Sequence, residues 1–177
     1  MIDNKLKKGI RVIDDFPKKG ISYKDITPLF LDVDLSNQII DGFVECLVDF
    51  KIDAIAGIES RGFIYGMALA NRLRVPFIPI RKKGKLPFNT LSQDYELEYG
   101  KAAIEIHTDA IQHGWNVVIH DDLLATGGTA NAAAKLVSRL GANVFAFAFI
   151  VELAFLKGSI PLTEHTNNII SLTKYQS

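Results

Sequence analysis

The chain has 177 residues, 48% of them hydrophobic and 23% charged, which is the length and balance of one globular domain with a single substantial core. Twenty Lys and Arg against twenty Asp and Glu leave no net charge, so no global field selects nucleic acid and any anion must be held by local groups. No run of 18 apolar residues occurs, Cys46 has no second cysteine to pair with, and the first residues carry no apolar leader; together these predict a cytoplasmic chain without a membrane span.

The stretch Phe16-Pro17-Lys18-Lys19-Gly20-Ile21-Ser22-Tyr23-Lys24-Asp25-Ile26-Thr27-Pro28-Leu29 mixes turn formers with aromatics. It suits an edge segment, or a platform where a flat base stacks on Tyr23 while the backbone of Ile21 and Ser22 reads its edge; composition leaves both open. Ser36 is placed to cap a helix whose apolar residues Ile39, Ile40, Phe43, Val44, Leu47 and Val48 repeat at helical spacing, and Cys46 within that pattern is expected in the core. A buried strand over 53–58, a helix over 63–73 with Met67, Leu69 and Leu73 as apolar positions, and a strand over 76–80 follow. This alternation predicts right-handed βαβ units and a parallel sheet.

Between the first of these strands and its helix lies Gly57-Ile58-Glu59-Ser60-Arg61-Gly62. Ser60 reads either as a helix cap or as a hydroxyl for an anion. Arg61 reads either as a solvated side chain or as a forked donor for pyrophosphate oxygens. Arg81-Lys82-Lys83-Gly84-Lys85 then concentrates positive charge at the same predicted sheet end, which favours a polyanionic ligand over a merely solvated face. Residues 81–100 lack clean periodicity and are expected to form a long loop whose closing acids, Glu98 above all, suit a water-excluding lid with a proton donor. Residues 102–106 alternate like a strand, and Gly114 turns the chain into the next one.

The most informative stretch is Val117-Val118-Ile119-His120-Asp121-Asp122-Leu123-Leu124-Ala125-Thr126-Gly127-Gly128-Thr129. A β-branched apolar run reads as a strand buried on both faces, with Asp121 and Asp122 at its carboxyl end, where open α/β sheets bind ligands. Ala125, Thr126, Gly127, Gly128 and Thr129 offer backbone N–H groups without bulky side chains, and a helix expected over 130–140, stopped by Gly141, gives the loop a positive dipole end. A monophosphate fits there with its sugar beside the carboxylates. His120 is expected to face away from Asp121 and to pack. A further apolar strand is expected over 144–151.

Two adjacent acids followed by Ala-Thr-Gly-Gly-Thr resemble the phosphoribosyl pyrophosphate signature of the type I phosphoribosyltransferases, which usually has an aliphatic residue where His120 stands. Phe-Pro-x-x-Gly-Ile-x-Tyr-x-Asp-Ile-Thr-Pro, Gly-Ile-Glu-Ser-Arg-Gly-Phe, Arg-Lys-Lys-Gly-Lys-Leu-Pro and Leu-Glu-Tyr-Gly occur in the order of that family's adenine branch, so the resemblance runs from Phe16 to about Lys157. It implies one α/β domain: a parallel-sheet core (35–155) with helices on both faces and a lid loop (81–100), a small N-terminal hood (1–34) and a C-terminal segment (156–177). It also implies transfer of 5-phosphoribose from phosphoribosyl pyrophosphate to N9 of adenine, with Mg2+ held mainly by substrate and water, in a homodimer that uses neither nucleic acid nor membrane.

Carried over by position, Asp121 and Asp122 contact the ribose hydroxyls, and Ala125 through Thr129 hold the 5′-phosphate. Glu59, Ser60 and Arg61 match the pyrophosphate loop, where the family often has a cis peptide. Arg81, Lys82 and Lys85 match the basic segment. Tyr23 and Leu153 match the pair that sandwiches adenine, with Ile21, Ser22 and Lys24 near its edge, and Glu98 matches the lid carboxylate. The chain departs from the pattern at Phe88, where glycine is common, and at Ser159-Ile160-Pro161, which lacks an arginine often found after Gly158. A purine-sensing regulator on the same fold is the rival reading, disfavoured because it needs an output domain. Guanine, hypoxanthine, xanthine and orotate enzymes would carry a different hood.

Overall fold

The computed structural model describes residues 2–97 and 100–177. The chain opens with helix α1 (Ile2–Gly9), a small antiparallel pair of β1 (Arg11–Ile13) and β2 (Tyr23–Asp25), and a 3-10 turn over Thr27–Leu31. Helix α2 (Val33–Leu47) leads into β3 (Ala54–Ile58), α3 (Gly62–Leu73) and β4 (Phe77–Lys82). Strands β5 (Thr90–Leu97) and β6 (Gly100–His107) form a hairpin, followed by β7 (Asn116–Leu124), α4 (Gly128–Arg139), β8 (Asn143–Leu153) and β9 (Ile169–Tyr175). Among the described residues the main sheet has seven strands in the order β5-β6-β4-β3-β7-β8-β9; the run from β4 to β9 is parallel and the β5–β6 hairpin joins antiparallel at the β4 edge. No helix among the described residues is long and apolar enough to cross a membrane.

Helices on both faces explain why the central strands are apolar throughout. All five residues of β3 are buried. Alternation along β7 sends Val117 and Ile119 to the face covered by α4, with Ala133, Phe147 and Phe149, and sends Val118 to the face covered by α1, α2 and α3, with Leu6, Phe43 and Leu69. Ile26 and Leu29, both fully buried, join that second core and so tie the N-terminal elements to the sheet.

Several elements differ from the sequence expectation for identifiable reasons. Helix α2 starts earlier, because Asp32 rather than Ser36 is its cap: the Asp32 carboxylate accepts from Leu35 N–H at 2.9 Å, while the Ser36 hydroxyl donates to the Leu29 carbonyl. Cys46 is exposed, not core, since it stands about 100° around the helix from Leu47, where the buried line ends. Met67 also faces outward; α3 buries Tyr65, Gly66, Leu69 and Ala70 instead. The expected loop over 81–100 contains β5 and the first residue of β6. Its period-2 signal is weak because, among the described side chains, Leu91 and Tyr95 pack on the core while Gln93 occupies the position between them. Strand β7 continues through the aspartates to Leu124, paired with β8 at Leu123↔Val151 and Leu124↔Glu152.

His120 lies on the α2 and α3 face, fully buried, with its ring edge-on to Phe43 at 5.3 Å and neither nitrogen hydrogen-bonded. Burial lowers its pKa to about 4; the adjacent Ala148 backbone opposes the shift. In the unfolded chain the group titrates near 6.5, so the unfolded state binds more protons between about pH 6.5 and 4. Its contribution is fully present above that window and lost as pH falls through it. Replacing His120 by Leu is therefore expected to flatten the acid-side slope of stability against pH, read as urea midpoints from pH 7 to 4; an unchanged slope would refute the assignment.

Candidate active site

Two strand-to-helix turns define the site. Strands β3 and β7 are adjacent and parallel, so the turns that follow them emerge at the same rim. Their closeness depends on Gly62: a Cβ there would stand 2.8 Å from the His120 carbonyl and 3.0 Å from Asp121 Oδ1. The turn after β7 encloses a cavity of about 80 Å³ lined by Asp121, Leu123, Leu124, residues 125–130 and Phe149. Gly127 has φ +83°, and α4 starts at the next residue, so the helix's free N–H groups end at this cavity and favour an anion. A Cβ on Gly127 would also strike the Gly158 carbonyl, and one on Gly158 would strike the Ala125 carbonyl. The phosphate-type loop is thus closed from behind by a distant part of the chain.

The two turns are joined by charge. Arg61 Nε stands 2.9 Å from Asp122 Oδ2, and its other arm donates to the Tyr23 hydroxyl; that Asp122 oxygen has no partner of full hydrogen-bond alignment, so the contact is an ion pair. Asp122 is 4% exposed. Burial raises the pKa of both carboxyls. For Asp121, held well above the usual carboxylate range, the neighbouring Asp122 charge adds to the effect; for Asp122, Arg61 opposes it. Burial likewise opposes the charge on Arg61, but Asp122 and Tyr23 outweigh it and leave its pKa raised. Two carboxyls that resist ionisation, beside a locked guanidinium, form a site ready to receive hydroxyl donors and a polyanion.

A second layer stiffens the rim. The Glu59–Ser60 peptide is cis. The Glu59 carboxylate accepts from Arg81 Nε at 3.2 Å, from the other side of that guanidinium at 3.1 Å, and from Lys82 N–H at 3.0 Å. These bonds, led by the one from Arg81, hold the Glu59 pKa down despite burial. Arg81 gives a further hydrogen to the Lys85 carbonyl.

The phosphoribosyl transferase domain family matches residues 22–158 of the chain. An adenine phosphoribosyltransferase of Cytophaga hutchinsonii is 47% identical over 175 residues, which cover 99% of this chain and 97% of the relative. The chain belongs to the adenine phosphoribosyltransferase family. Among solved structures, the adenine phosphoribosyltransferase of Thermoanaerobacter pseudethanolicus superposes with a TM-score of 0.93 at 51% identity, covering 99% of this chain and all of that one. The Saccharomyces cerevisiae enzyme, solved with adenine and an imino-altritol bisphosphate, gives 0.91 at 42% identity, with 97% and 98% covered.

Most of the residues picked out by the phosphoribosyltransferase resemblance converge on this rim. Asp121 and Ala125, Thr126, Gly127, Gly128 and Thr129 line the cavity, and Arg61 reaches Asp122 directly. Glu59 and Arg81 are bonded to each other, while Lys82 at the end of β4 and Lys85 in the turn after it are exposed. From the N-terminal segment, Tyr23 meets Arg61 and packs edge-on to Phe16 at 5.2 Å. Lys24 is buried, its ammonium donating to the Ser22 hydroxyl and lying 4.7 Å from the Tyr175 ring centre; Ile21 remains exposed. Leu153 ends β8, paired with Tyr175. Glu98 lies outside the described residues. Sequence reasoning gave no role to Gly158 or Glu105. A glycine after Lys157 was the only sign of the first, and nothing local marks the second.

Proposed function

We propose that the chain transfers 5-phosphoribose from phosphoribosyl pyrophosphate to N9 of adenine, releasing pyrophosphate and forming AMP, a purine-salvage reaction. The observation that carries this reading is the Arg61–Asp122 pair, which binds the two anion-type turns into one crevice in a chain whose relatives are adenine phosphoribosyltransferases. One ligand with a phosphate at each end can then touch both.

In this reading the 5′-phosphate sits on the N–H groups of 125–129, and Asp121 and Asp122 accept from the ribose hydroxyls. Arg61, the Ser60 hydroxyl and the cations Lys82 and Lys85 receive the pyrophosphate, while Glu59 and Arg81 brace that end. As the glycosidic carbon–oxygen bond breaks, the sugar becomes oxocarbenium-like, and charge stabilisation by fixed groups supplies most of the rate. Asp122, paired with Arg61, offsets the sugar's positive charge, and the developing charge draws Asp121 toward its ionised form. Adenine stacks between Tyr23 and Leu153, its edge near Ile21, Ser22 and Lys24, and attacks the anomeric carbon through N9 as the pyrophosphate oxygen departs, the N9 proton passing to the departing pyrophosphate. Glu98 hydrogen-bonds the purine during that transfer.

Mg2+ would be carried mainly by substrate oxygens and water, with Asp121 and Asp122 the acidic side chains of the crevice nearest the sugar in this reading. When bound, the ion supplies neutralisation of the leaving pyrophosphate. A cytoplasmic homodimer completes the reading. The test is to incubate the protein with phosphoribosyl pyrophosphate, Mg2+ and each purine base and to identify the nucleotide. AMP from adenine alone is expected. IMP or GMP would reassign the base, and no nucleotide with any base would favour a regulator.

A further inference from the structure

Glu105 sits in β6, directly across the ladder from Arg81, and is 4% exposed although it is an acid outside the cavity. One of its oxygens accepts from two successive backbone groups, Lys85 N–H at 3.0 Å and Leu86 N–H at 2.8 Å, while the other accepts from the Thr90 hydroxyl at 3.3 Å. Burial would push this carboxyl up, but the N–H groups of Leu86, Gly84 and Lys85 and the Thr90 hydroxyl outweigh it and hold the pKa below the ordinary glutamate value. The group is therefore ionised at neutral pH and spends its charge on the backbone of one turn.

That turn is the basic one. Its Lys85–Leu86 peptide is gripped from both sides, since Arg81 donates to the Lys85 carbonyl while Glu105 takes the Leu86 N–H, and Glu105 takes the preceding Lys85 N–H as well. Arg81 in turn holds Glu59 of the neighbouring turn. Gly84, with φ +82°, lets the chain double back so that both grips can be made. The exposed side chains of Lys82, Lys83 and Lys85 project from a backbone held by these hydrogen bonds.

We infer that Glu105 is a positioning residue for the leaving-group end of the substrate: by fixing the backbone of residues 84–86 it presents the basic turn to pyrophosphate without touching it. The physical reason is preorganisation. Ordering a residue costs conformational entropy, and a turn already ordered by charge-assisted hydrogen bonds does not lose that from the binding of the anion. Negative charge is used here to build a positive site, which works because the carboxylate is buried and bonded to N–H groups while the ammonium groups face solvent.

This inference rests on the phosphoribosyl-transfer reading and makes a distinct prediction. Glu105→Ala is expected to raise KM for phosphoribosyl pyrophosphate by about tenfold and to weaken pyrophosphate binding in step, with KM for adenine within twofold of wild type. Glu105→Gln keeps one carbonyl oxygen for both N–H groups and is expected to restore both quantities to within about threefold. Equal pyrophosphate affinity in wild type and Glu105→Ala, a parallel rise in both KM values, or a Gln variant as impaired as Ala would overturn it. Should the Ala variant fail to fold, Glu105→Asp, which keeps the charge but withdraws the oxygens, is read by the same comparison and the same expected rise. Pyrophosphate binding by calorimetry needs no turnover, so a wild-type protein that forms no AMP would sink the functional reading while leaving Glu105 decidable.

Discussion

Arg61→Ala is expected to lower kcat/KM for AMP formation by about a thousandfold, the largest effect of any single side chain in the crevice. Three losses act together. The leaving pyrophosphate loses a forked, permanently charged donor, and removing one preorganised donor to developing charge costs about 10²–10³ in rate. Asp122, buried and already reluctant to ionise, loses its counter-charge. Tyr23 loses the partner that fixes its hydroxyl, and with it the plane offered to the base. Arg61 is about one-third exposed on its side chain, so the stability loss is expected to be smaller than for a fully buried pair, and circular dichroism should show the fold retained. Lysine at this position restores charge without the planar fork and should recover only part of the rate. A variant within threefold of wild type would remove Arg61 from the site.

What the sequence disclosed and what it hid divide along the range of the interactions. The Asp121-to-Thr129 stretch is legible because strand, acids, loop and helix start follow one another in the chain, and the structure extends the strand only as far as Leu124. Glu59-Ser60-Arg61 is legible for the same reason. The strand over Thr90–Leu97 is not, because an edge strand needs few core residues and the polar Gln93 interrupts the line between Leu91 and Tyr95. Nor is the pairing of Glu59 with Arg81, which are 22 positions apart and each read singly as a substrate group. Gly158 closing the loop at Ala125 is a contact across more than thirty residues, and a lone glycine announces a turn, not its partner. Asp32 and Cys46 show the smaller error: helical spacing locates a buried face but not the cap that starts it or the point where its line drifts off the core.

The crevice is thus built of mutually restraining parts. The N-terminal segment reaches Arg61 through Tyr23, Arg61 reaches Asp122, and Gly62 brings the first turn against Asp121. In an arrangement of this kind substitutions along the chain of contacts are expected to be non-additive, because each removes the support of the next.

Asp122→Asn tests that coupling most directly. The amide keeps the shape and hydrogen-bonding length of the carboxylate but not its charge, so the ribose hydroxyls lose a strong acceptor and the oxocarbenium-like sugar loses part of its electrostatic support. Turnover is expected to fall about 10²–10³-fold, with KM for phosphoribosyl pyrophosphate changed much less, since the interaction is strongest when the sugar carries positive charge. A second consequence follows from Asp121. Its pKa is raised by burial and then by the charge of Asp122, so removing that charge moves it down, and the acid limb of the residual pH–rate profile should shift to lower pH. Stability moves the other way from a usual salt-bridged acid. A carboxyl whose folded pKa exceeds its unfolded value costs stability as pH rises through that interval, so neutralising Asp122 relieves a cost at pH 7 while depriving Arg61 of its partner. The thermal midpoint at pH 7 should accordingly stay close to wild type even as turnover collapses. Turnover within threefold of wild type, or an acid limb that does not move, would show that the two aspartates are not the coupled ribose-binding pair described above.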